Sequence, residues 1–130
     1  MTAATRITRA FDKARAQGRK ALVLYLTGSD PDFETSRRLL VAAAHAGVDI
    51  LELGVPWSDP AADGPAIQLA MQRARAAGGG LTTTLELCRA VRQEAPEVGI
   101  VLFGYATPIA VRGPERFAAQ AKQAGADGVL

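Results

Sequence analysis

Two carboxylates, Glu52 and Asp63, are of a type and position that could do chemistry. Glu52 interrupts a mostly apolar run from Val48 to Leu53, which is typical of a parallel strand covered on both faces. A carboxylate there must be paired, protonated or reactive, because burial disfavours its charged form. Asp63 follows in a loop rich in proline and aspartate, so the two groups could serve one cleft as proton donor and electrostatic partner.

The position of Glu52 along its strand also favours a functional role. Gly54 and Pro56 end the strand, which places Glu52 near its carboxyl end, where parallel α/β folds open to ligands. A structural interpretation stands beside this one, since a lone glutamate can lie on an edge strand and Asp-Pro or Asp-Gly pairs often mark only turns. The residues alone leave both interpretations open.

A longer signature surrounds these carboxylates. The run Leu-Glu-Leu-Gly-Val-Pro-Trp-Ser-Asp-Pro from Leu51 to Pro60 continues as Ala62-Asp63-Gly64-Pro65 and Ile67-Gln68. It resembles the signature of the tryptophan synthase alpha subunit family. The resemblance implies a (β/α)8 TIM barrel and aldol-type cleavage of indole-3-glycerol phosphate to indole and glyceraldehyde 3-phosphate in tryptophan biosynthesis. It covers essentially all 130 residues, but only the N-terminal half of the family's length.

The resemblance also implies roles for individual side chains. Glu52 matches the general acid/base that protonates the indole ring carbon bearing the glycerol phosphate, and Asp63 matches the carboxylate that accepts the indole N–H. Tyr105 resembles the tyrosine beside the indole site, and Phe103 and Tyr25 match its apolar walls. A plain core role is equally open for these three aromatics, because aromatic side chains bury readily.

The loop from Pro56 to Pro65 resembles the surface on which the alpha subunit meets the beta subunit. Pro56 and Asp59 are therefore the expected partner contacts. The departures from the family pattern lie elsewhere: Leu24 stands where family members usually carry Pro, Gly28-Ser29 replaces the usual Ala-Gly or Leu-Gly, and Ala106-Thr107 replaces a more usual pair ending in Asn. They put the geometry of the first and third strand–helix loops in doubt without touching Glu52 or Asp63.

The composition of the chain argues against several other functions. A net charge of +2 with dispersed basic residues makes nucleic acid an unlikely partner, and one cysteine and one histidine supply too few ligands for a zinc site. The lysines, Lys13, Lys20 and Lys122, do not end a strand, which disfavours a Schiff-base aldolase. We expect no cofactor and no metal.

The chain shows no membrane signal. No stretch approaches the roughly 18 apolar residues of a membrane span, and Met1 to Lys20 mixes charged and apolar positions unlike a signal peptide. We therefore expect a cytoplasmic protein without membrane contact.

Hydrophobic periodicity predicts an alternating α/β chain behind a leading helix over 4–17. The predicted strands are 21–26, taken to be buried, 48–53, 99–105 and one beginning at 127, and the predicted helices are 30–46, 65–77, 83–94 and 113–124. Such alternation favours a barrel or a doubly wound sheet, and no glycine fingerprint follows the first strand. The prediction is the first half of a (β/α)8 barrel, with residues 1–130 as the N-terminal half of one domain, truncated within the fourth strand.

Finer local predictions accompany this topology. Asp30 is expected to cap the second helix with Pro31 at its first position, and its inward stripe to include Leu39 and Leu40. Residues 107–109 are expected to be a loop. Ala46-Gly47-Val48-Asp49 recurs as Ala124-Gly125-Ala126-Asp127, each between a helix and a strand, as stacked βα units require.

Because the resemblance covers only half of the family's length, alternatives to lyase activity remain open. The 130-residue chain alone is expected to have little or no lyase activity, since barrels grip phosphate with loops after strands seven and eight. A non-catalytic half-barrel that binds a partner or oligomerises is one alternative. Another sugar-phosphate barrel enzyme is a second.

Overall fold

A computed structural model of the chain describes residues 4–130. Residues 1–3, part of the segment that we expect not to be a signal peptide, lie outside the described residues. The described range contains six helices and four strands, which are the five predicted helices, the four predicted strands and one further helix over Ala106–Arg112. They are α1 Arg6–Ala16, β1 Val23–Thr27, α2 Phe33–His45, β2 Ile50–Gly54, α3 Pro65–Ala76, α4 Leu81–Glu94, β3 Gly99–Phe103, α5 Ala106–Arg112, α6 Pro114–Ala124 and β4 Gly128–Val129.

The strands form one parallel sheet in the order β1-β2-β3-β4. Tyr25 of β1 lies beside Glu52 of β2, and Glu52 lies beside Val101 of β3. Each strand is joined to the next by a helical crossover, and sequential strand order is the order of a barrel rather than of a doubly wound sheet. The predicted half-barrel is confirmed.

Alternate residues of the strands face the helices and form the core. Leu51, Leu53, Ile100 and Leu102 are each about 1% exposed. They pack against apolar side chains of helices α2, α4 and α6. These side chains are Leu40, Leu85, Cys88, Val91, Phe117 and Ala121. Burial of the Cys88 thiol raises its pKa to about 11, as expected for a small core residue and not a nucleophile.

The opposite face of the sheet, which would be the inside of a barrel, is only half-buried. It carries Tyr25, Glu52, Val101 and Phe103. The edge strand β1 was predicted to be buried, and this prediction is wrong: Val23 is 42% exposed. The reason is that β1 has a neighbouring strand on one side only in the described chain.

At the amino ends of β2 and β4, two arginine–aspartate clusters join each strand to the start of its neighbour. Arg19 donates two hydrogen bonds to Asp49, at 2.6 and 2.8 Å, and the backbone N–H of Leu22 donates to the same carboxylate. We call this cluster and its repeat the Arg–Asp clasps. The Arg19 guanidinium lowers the pKa of Asp49 to about 2.

The second clasp repeats the first two strands later. Asp127 accepts from Arg92 at 2.7 Å, from Arg6 at 3.0 Å and from the backbone N–H of Ile100 at 2.9 Å. Both aspartates follow a glycine in the left-handed region, with φ of +104° at Gly47 and +87° at Gly125. The repeated sequence junction therefore has a repeated structure, in which a helix ends at the glycine and the aspartate joins two strands.

The leading helix lies across this lower end of the sheet. Ile7 of α1 contacts Gly99 and Gly128 at the starts of β3 and β4. Arg6 adds a hydrogen bond to the carbonyl of Pro96 in addition to its bond to Asp127. The helix thus covers the amino end of the half-barrel, as the sequence predicts.

Three local predictions are wrong. Helix α2 is capped by Asp32, which accepts the backbone N–H of Thr35, because Asp30 instead pairs with Arg73 of α3. Leu39 is 47% exposed rather than inward. Residues 107–109 belong to helix α5 and not to a loop, since a proline fits the first turn of a helix, where its missing N–H is not needed.

Neither a helix able to cross a membrane nor a metal-binding cluster occurs in residues 4–130. None of the helices within 4–130 is both long enough and apolar enough to cross a membrane. Across the same range, no three histidine, cysteine, aspartate or glutamate residues come together in a way that could hold a metal ion.

Candidate active site

Glu52 is the central residue of β2, two residues before the strand ends at Gly54. Its neighbours along the strand, Leu51 and Leu53, turn toward the helices and are buried, so Glu52 turns to the half-buried inner face. Within residues 4–130 its carboxylate forms no hydrogen bond and no ion pair. A carboxylate held on a rigid strand without a partner is available to exchange a proton with a bound molecule.

Tyr25 and Phe103 form an aromatic wall next to Glu52. Their rings meet edge to face, with centroids 5.6 Å apart, although they belong to β1 and β3 on either side of β2. Gly54 allows this contact, because a Cβ at that position would lie 2.3 Å from the Tyr25 hydroxyl oxygen. Tyr25 also hydrogen-bonds to Thr27, which fixes the ring over the end of β2.

Asp63 is held in place by Tyr105. The Tyr105 hydroxyl donates to Asp63 Oδ2 at 2.6 Å, and the backbone N–H of Ala62 donates to the same hydroxyl at 3.0 Å. Since Tyr105 directly follows β3 and Asp63 lies in the loop between β2 and α3, this pair ties the loop to the carboxyl end of the sheet. One oxygen of the Asp63 carboxylate thus has a fixed partner.

The loop is anchored at both of its ends. At its start, the Val55 N–H donates to the Phe103 carbonyl at 2.8 Å, which extends the sheet by one residue. At its end, Gln68 of α3 donates a side-chain hydrogen bond to the Asp63 carbonyl. Pro65 occupies the first turn of α3, so the loop passes into the helix without a lost N–H.

Both carboxylates influence the pKa of the Tyr25 hydroxyl. Burial is the main cause that raises the pKa of the Tyr25 hydroxyl, and the negative charges of Asp63 and Glu52 raise it further. Partial burial and the hydrogen bond to Asp63 raise the pKa of Tyr105 as well. The charges of both carboxylates therefore act on the hydroxyl of one tyrosine.

The two residues expected to contact a partner lie in the same loop but differ in exposure. Asp59 is exposed, whereas Pro56 is buried and forms part of a cleft wall. A cleft of about 720 Å³, bordered by Pro56 and Trp57, includes neither Glu52 nor Asp63.

Comparison with known proteins assigns the fold and the motif together. The family model described as tryptophan synthase alpha chain matches residues 11–130. This chain belongs to the tryptophan synthase alpha chain family. Among curated members, the alpha chain of Gluconacetobacter diazotrophicus is 48% identical over 126 residues, and that of Geobacter sulfurreducens is 50% identical over the same number.

Solved alpha-chain structures share the backbone as well as the sequence. Tryptophan synthase subunit alpha from Legionella pneumophila superposes with a TM-score of 0.92 at 41% identity, covering 96% of this chain and 48% of that one. A tryptophan synthase structure from M. tuberculosis gives 0.90 at 35% identity, covering 97% and 50%. The chain spans about half the length of the curated alpha chains, 46% and 47% of the two relatives named above.

The structure places the predicted site residues in two groups. Tyr25 lies beside Glu52 in the sheet and meets Phe103 edge to face, and Asp63 is hydrogen-bonded to Tyr105. Sequence reasoning missed the aromatic crossing over Gly54 and the bond that joins Tyr105 to Asp63. The glycine that ends β2 is a local signal for the first, but the second joins residues 42 positions apart and has no local signal.

Proposed function

We propose that this chain is the N-terminal half of a lyase of the tryptophan synthase alpha type, which cleaves indole-3-glycerol phosphate to indole and glyceraldehyde 3-phosphate. Residues 1–130 then form the first half of one barrel domain. The observation that carries the proposal is Glu52, a carboxylate on the inner face of β2 that has no partner among residues 4–130, in a chain of the tryptophan synthase alpha chain family. A strand of the rigid sheet is a suitable support for a proton donor.

In the proposed reaction, Glu52 in its acid form donates a proton to the indole ring carbon that bears the glycerol phosphate. The ring becomes positively charged and accepts the bonding electrons when the carbon–carbon bond breaks. The hydroxyl on the released glycerol carbon gives its proton to Glu52, which is now a carboxylate, and becomes the aldehyde of glyceraldehyde 3-phosphate. Asp63 accepts the indole N–H and stabilises the positive charge, as a carboxylate does best where water is excluded. The hydrogen bond from Tyr105 supports this role, because it occupies one oxygen of Asp63 and orients the carboxylate.

The aromatic pair contributes to binding in this proposal. Tyr25 and Phe103 present ring faces and edges beside Glu52, and a flat apolar indole packs well against such a wall. The loop with Pro56 and Asp59 is the proposed contact with a tryptophan synthase beta subunit. The exposure of Asp59 supports this contact.

A chimera tests the activity. Residues 1–130 would replace the matching first half of the Geobacter sulfurreducens alpha chain, and indole release from indole-3-glycerol phosphate would be measured. Glu52→Gln should lower the rate by about 100-fold or more, because general acid catalysis contributes that much. Glu86→Gln, at an exposed position of α4, is the matched control and should leave the rate unchanged. An active Glu52→Gln chimera would refute the role of Glu52 and favour another sugar-phosphate enzyme.

A non-catalytic half-barrel remains the second candidate, and the exposed edges favour it. Leu22, Val23, Val129 and Leu130 are 42–66% exposed along the two outer strands. Exposed strand edges are templates for pairing with another chain. This candidate predicts a stable two-fold assembly of the 130-residue chain in size-exclusion chromatography, together with an inactive chimera.

A further inference from the structure

The cleft of about 720 Å³ beside the loop after β2 has an unusual lining. Three arginines from different helices border it: Arg75 at the end of α3, Arg112 at the end of α5 and Arg116 in α6. None of the side chains that line it is a carboxylate. We call this surface the arginine cleft.

The arginines hold their positive charge without internal neutralisation. Arg112 is fixed by hydrogen bonds to Thr82 Oγ1 at 2.6 Å and to Gln120 Oε1 at 3.0 Å, both uncharged acceptors. Arg75 and Arg116 are exposed and form no ion pair with any residue in the range 4–130. By contrast, Arg19 and Arg92 are committed to the Arg–Asp clasps. The cleft therefore keeps a positive potential that an external carboxylate can neutralise.

Apolar side chains surround the charged centre. Val111, at the rim, is 84% exposed, the largest value among the exposed large hydrophobic residues of the described chain. Trp57 and Arg75 also line an adjoining cleft of about 470 Å³ that contains Leu69, which is 54% exposed. Arginine and tryptophan at the centre of an apolar surface are typical of protein–protein contacts.

We propose that the arginine cleft docks an acidic segment of the protein partner, with one or more carboxylates between Arg75, Arg112 and Arg116 and apolar side chains against Val111 and Trp57. The inference rests on the proposed function for the identity of that partner, a tryptophan synthase beta subunit. The positive charge of the three arginines favours a partner segment with carboxylates. The exposed apolar side chains at the rim favour a polypeptide over a small free anion, because a small anion has no apolar side chains to contact them. Because Pro56 and Trp57 line the cleft, it adjoins the loop proposed to meet the same subunit.

Binding of the beta subunit to the immobilised chain tests the inference. Arg75→Gln with Arg116→Gln should raise Kd about tenfold, and Arg75→Glu with Arg116→Glu should raise it further, since reversed charges repel the partner's carboxylates. Wild-type binding should weaken as salt rises, and the charge-reversed variant should lose that dependence. These two side chains are exposed and outside the core, so the fold should be retained, with circular dichroism as the check.

The matched control is Arg38→Glu with Arg89→Glu, two exposed arginines on α2 and α4 that do not line the cleft. This variant should bind like the wild-type chain. Equal loss in control and cleft variants, or equal loss for glutamine and glutamate, would overturn the acidic-segment assignment. If the wild-type chain does not bind the beta subunit, the inference fails, while indole release by the chimera still decides the lyase proposal separately. If the chimera is inactive but the cleft variants lose binding, the lyase proposal fails and the inference stands.

Discussion

The two ends of the sheet use the same kind of side chain in opposite ways. At the amino ends of the strands, Asp49 and Asp127 are each held by arginine and by a backbone N–H. At the carboxyl end, Glu52 has no such partner within residues 4–130, and Asp63 is held by one tyrosine hydroxyl. Neither of these upper carboxylates pairs with a cation in that range.

This difference suggests that the carboxylates at the amino ends of the strands stabilise the fold, whereas those at the carboxyl ends are available for chemistry. The donors around Asp49 favour its charged form, which lowers its pKa and stabilises the fold. A carboxylate without cationic partners contributes little to stability and can change its charge during a reaction. Barrel enzymes show the same division between a stabilising lower end and a catalytic upper end.

The largest expected effect on stability comes from removing an aspartate of an Arg–Asp clasp. Asp127→Ala leaves Arg92 without its buried anion and should lower the free energy of unfolding by about 3 kcal/mol. Glu52→Gln should change it by less than about 1 kcal/mol, because no contact is lost. Urea unfolding of both variants measures this contrast, and equal losses would contradict it.

The next prediction concerns pH. The pKa of Asp49 is lowered from its ordinary value of 3.8 to about 2, so its clasp stabilises the fold above pH 4 and loses that contribution as pH falls from about 4 to 2. Because Arg19 is 38% exposed, solvent screening should limit the contribution to about 1 kcal/mol. Asp49→Asn should remove this part of the acid dependence in unfolding measured at several pH values. A variant whose stability still falls in that window as steeply as the wild type would assign the loss to other groups.

A smaller effect is expected at the upper end. Tyr105→Phe removes the donor that orients Asp63, and should lower kcat/KM of the chimera about tenfold, equivalent to about 1.4 kcal/mol. Stability should fall by about 1 kcal/mol for one hydrogen bond. Glu86→Gln, at an exposed position of α4, is the control and should leave both activity and stability unchanged. If Tyr105→Phe keeps full activity, the orientation of Asp63 does not depend on this bond.

The smallest effect should be a gain. Ser29 has φ of +64°, and its buried hydroxyl lacks a hydrogen-bond partner within the described chain. Glycine accepts this backbone conformation without strain, so Ser29→Gly should raise the free energy of unfolding by about 1 kcal/mol. The bond from the Ser29 backbone N–H to Ser36 Oγ is kept in this variant, because it does not involve the Ser29 side chain. Thermal unfolding checks the sign, and a loss of stability would contradict the prediction.

The sequence predicts the topology well because its information is local. Apolar runs of strand length alternate with helical periodicity, and glycines mark the junctions at 47 and 125. The row of Leu51 and Leu53 toward the helices follows from the two-residue period, which also turns Glu52 to the other face. The family signature then identifies Glu52 and Asp63 as the residues to consider.

What could not be predicted depends on contacts between distant residues. Asp30 and Asp32 both flank Pro31 and are equal candidates as caps, and only the position of Arg73 in α3 decides between them. The arginine cleft likewise requires three helices to be placed before its charges meet. Helix α5 was missed because a proline after a threonine resembles a turn, although the first helical turn tolerates it.

The repetition of the Arg–Asp clasp has a consequence for building hybrid proteins. Each clasp joins an arginine to an aspartate 30 or 35 positions further along the chain, so a crossover between the two would pair residues from different parents. A crossover after Asp49 keeps Arg19 with Asp49 and Arg92 with Asp127 but separates Arg6 from Asp127, whereas a crossover after Asp127 keeps all of these partners in one parent. The position after Asp127 is therefore the boundary at which a segment of this barrel can be exchanged with both clasps intact.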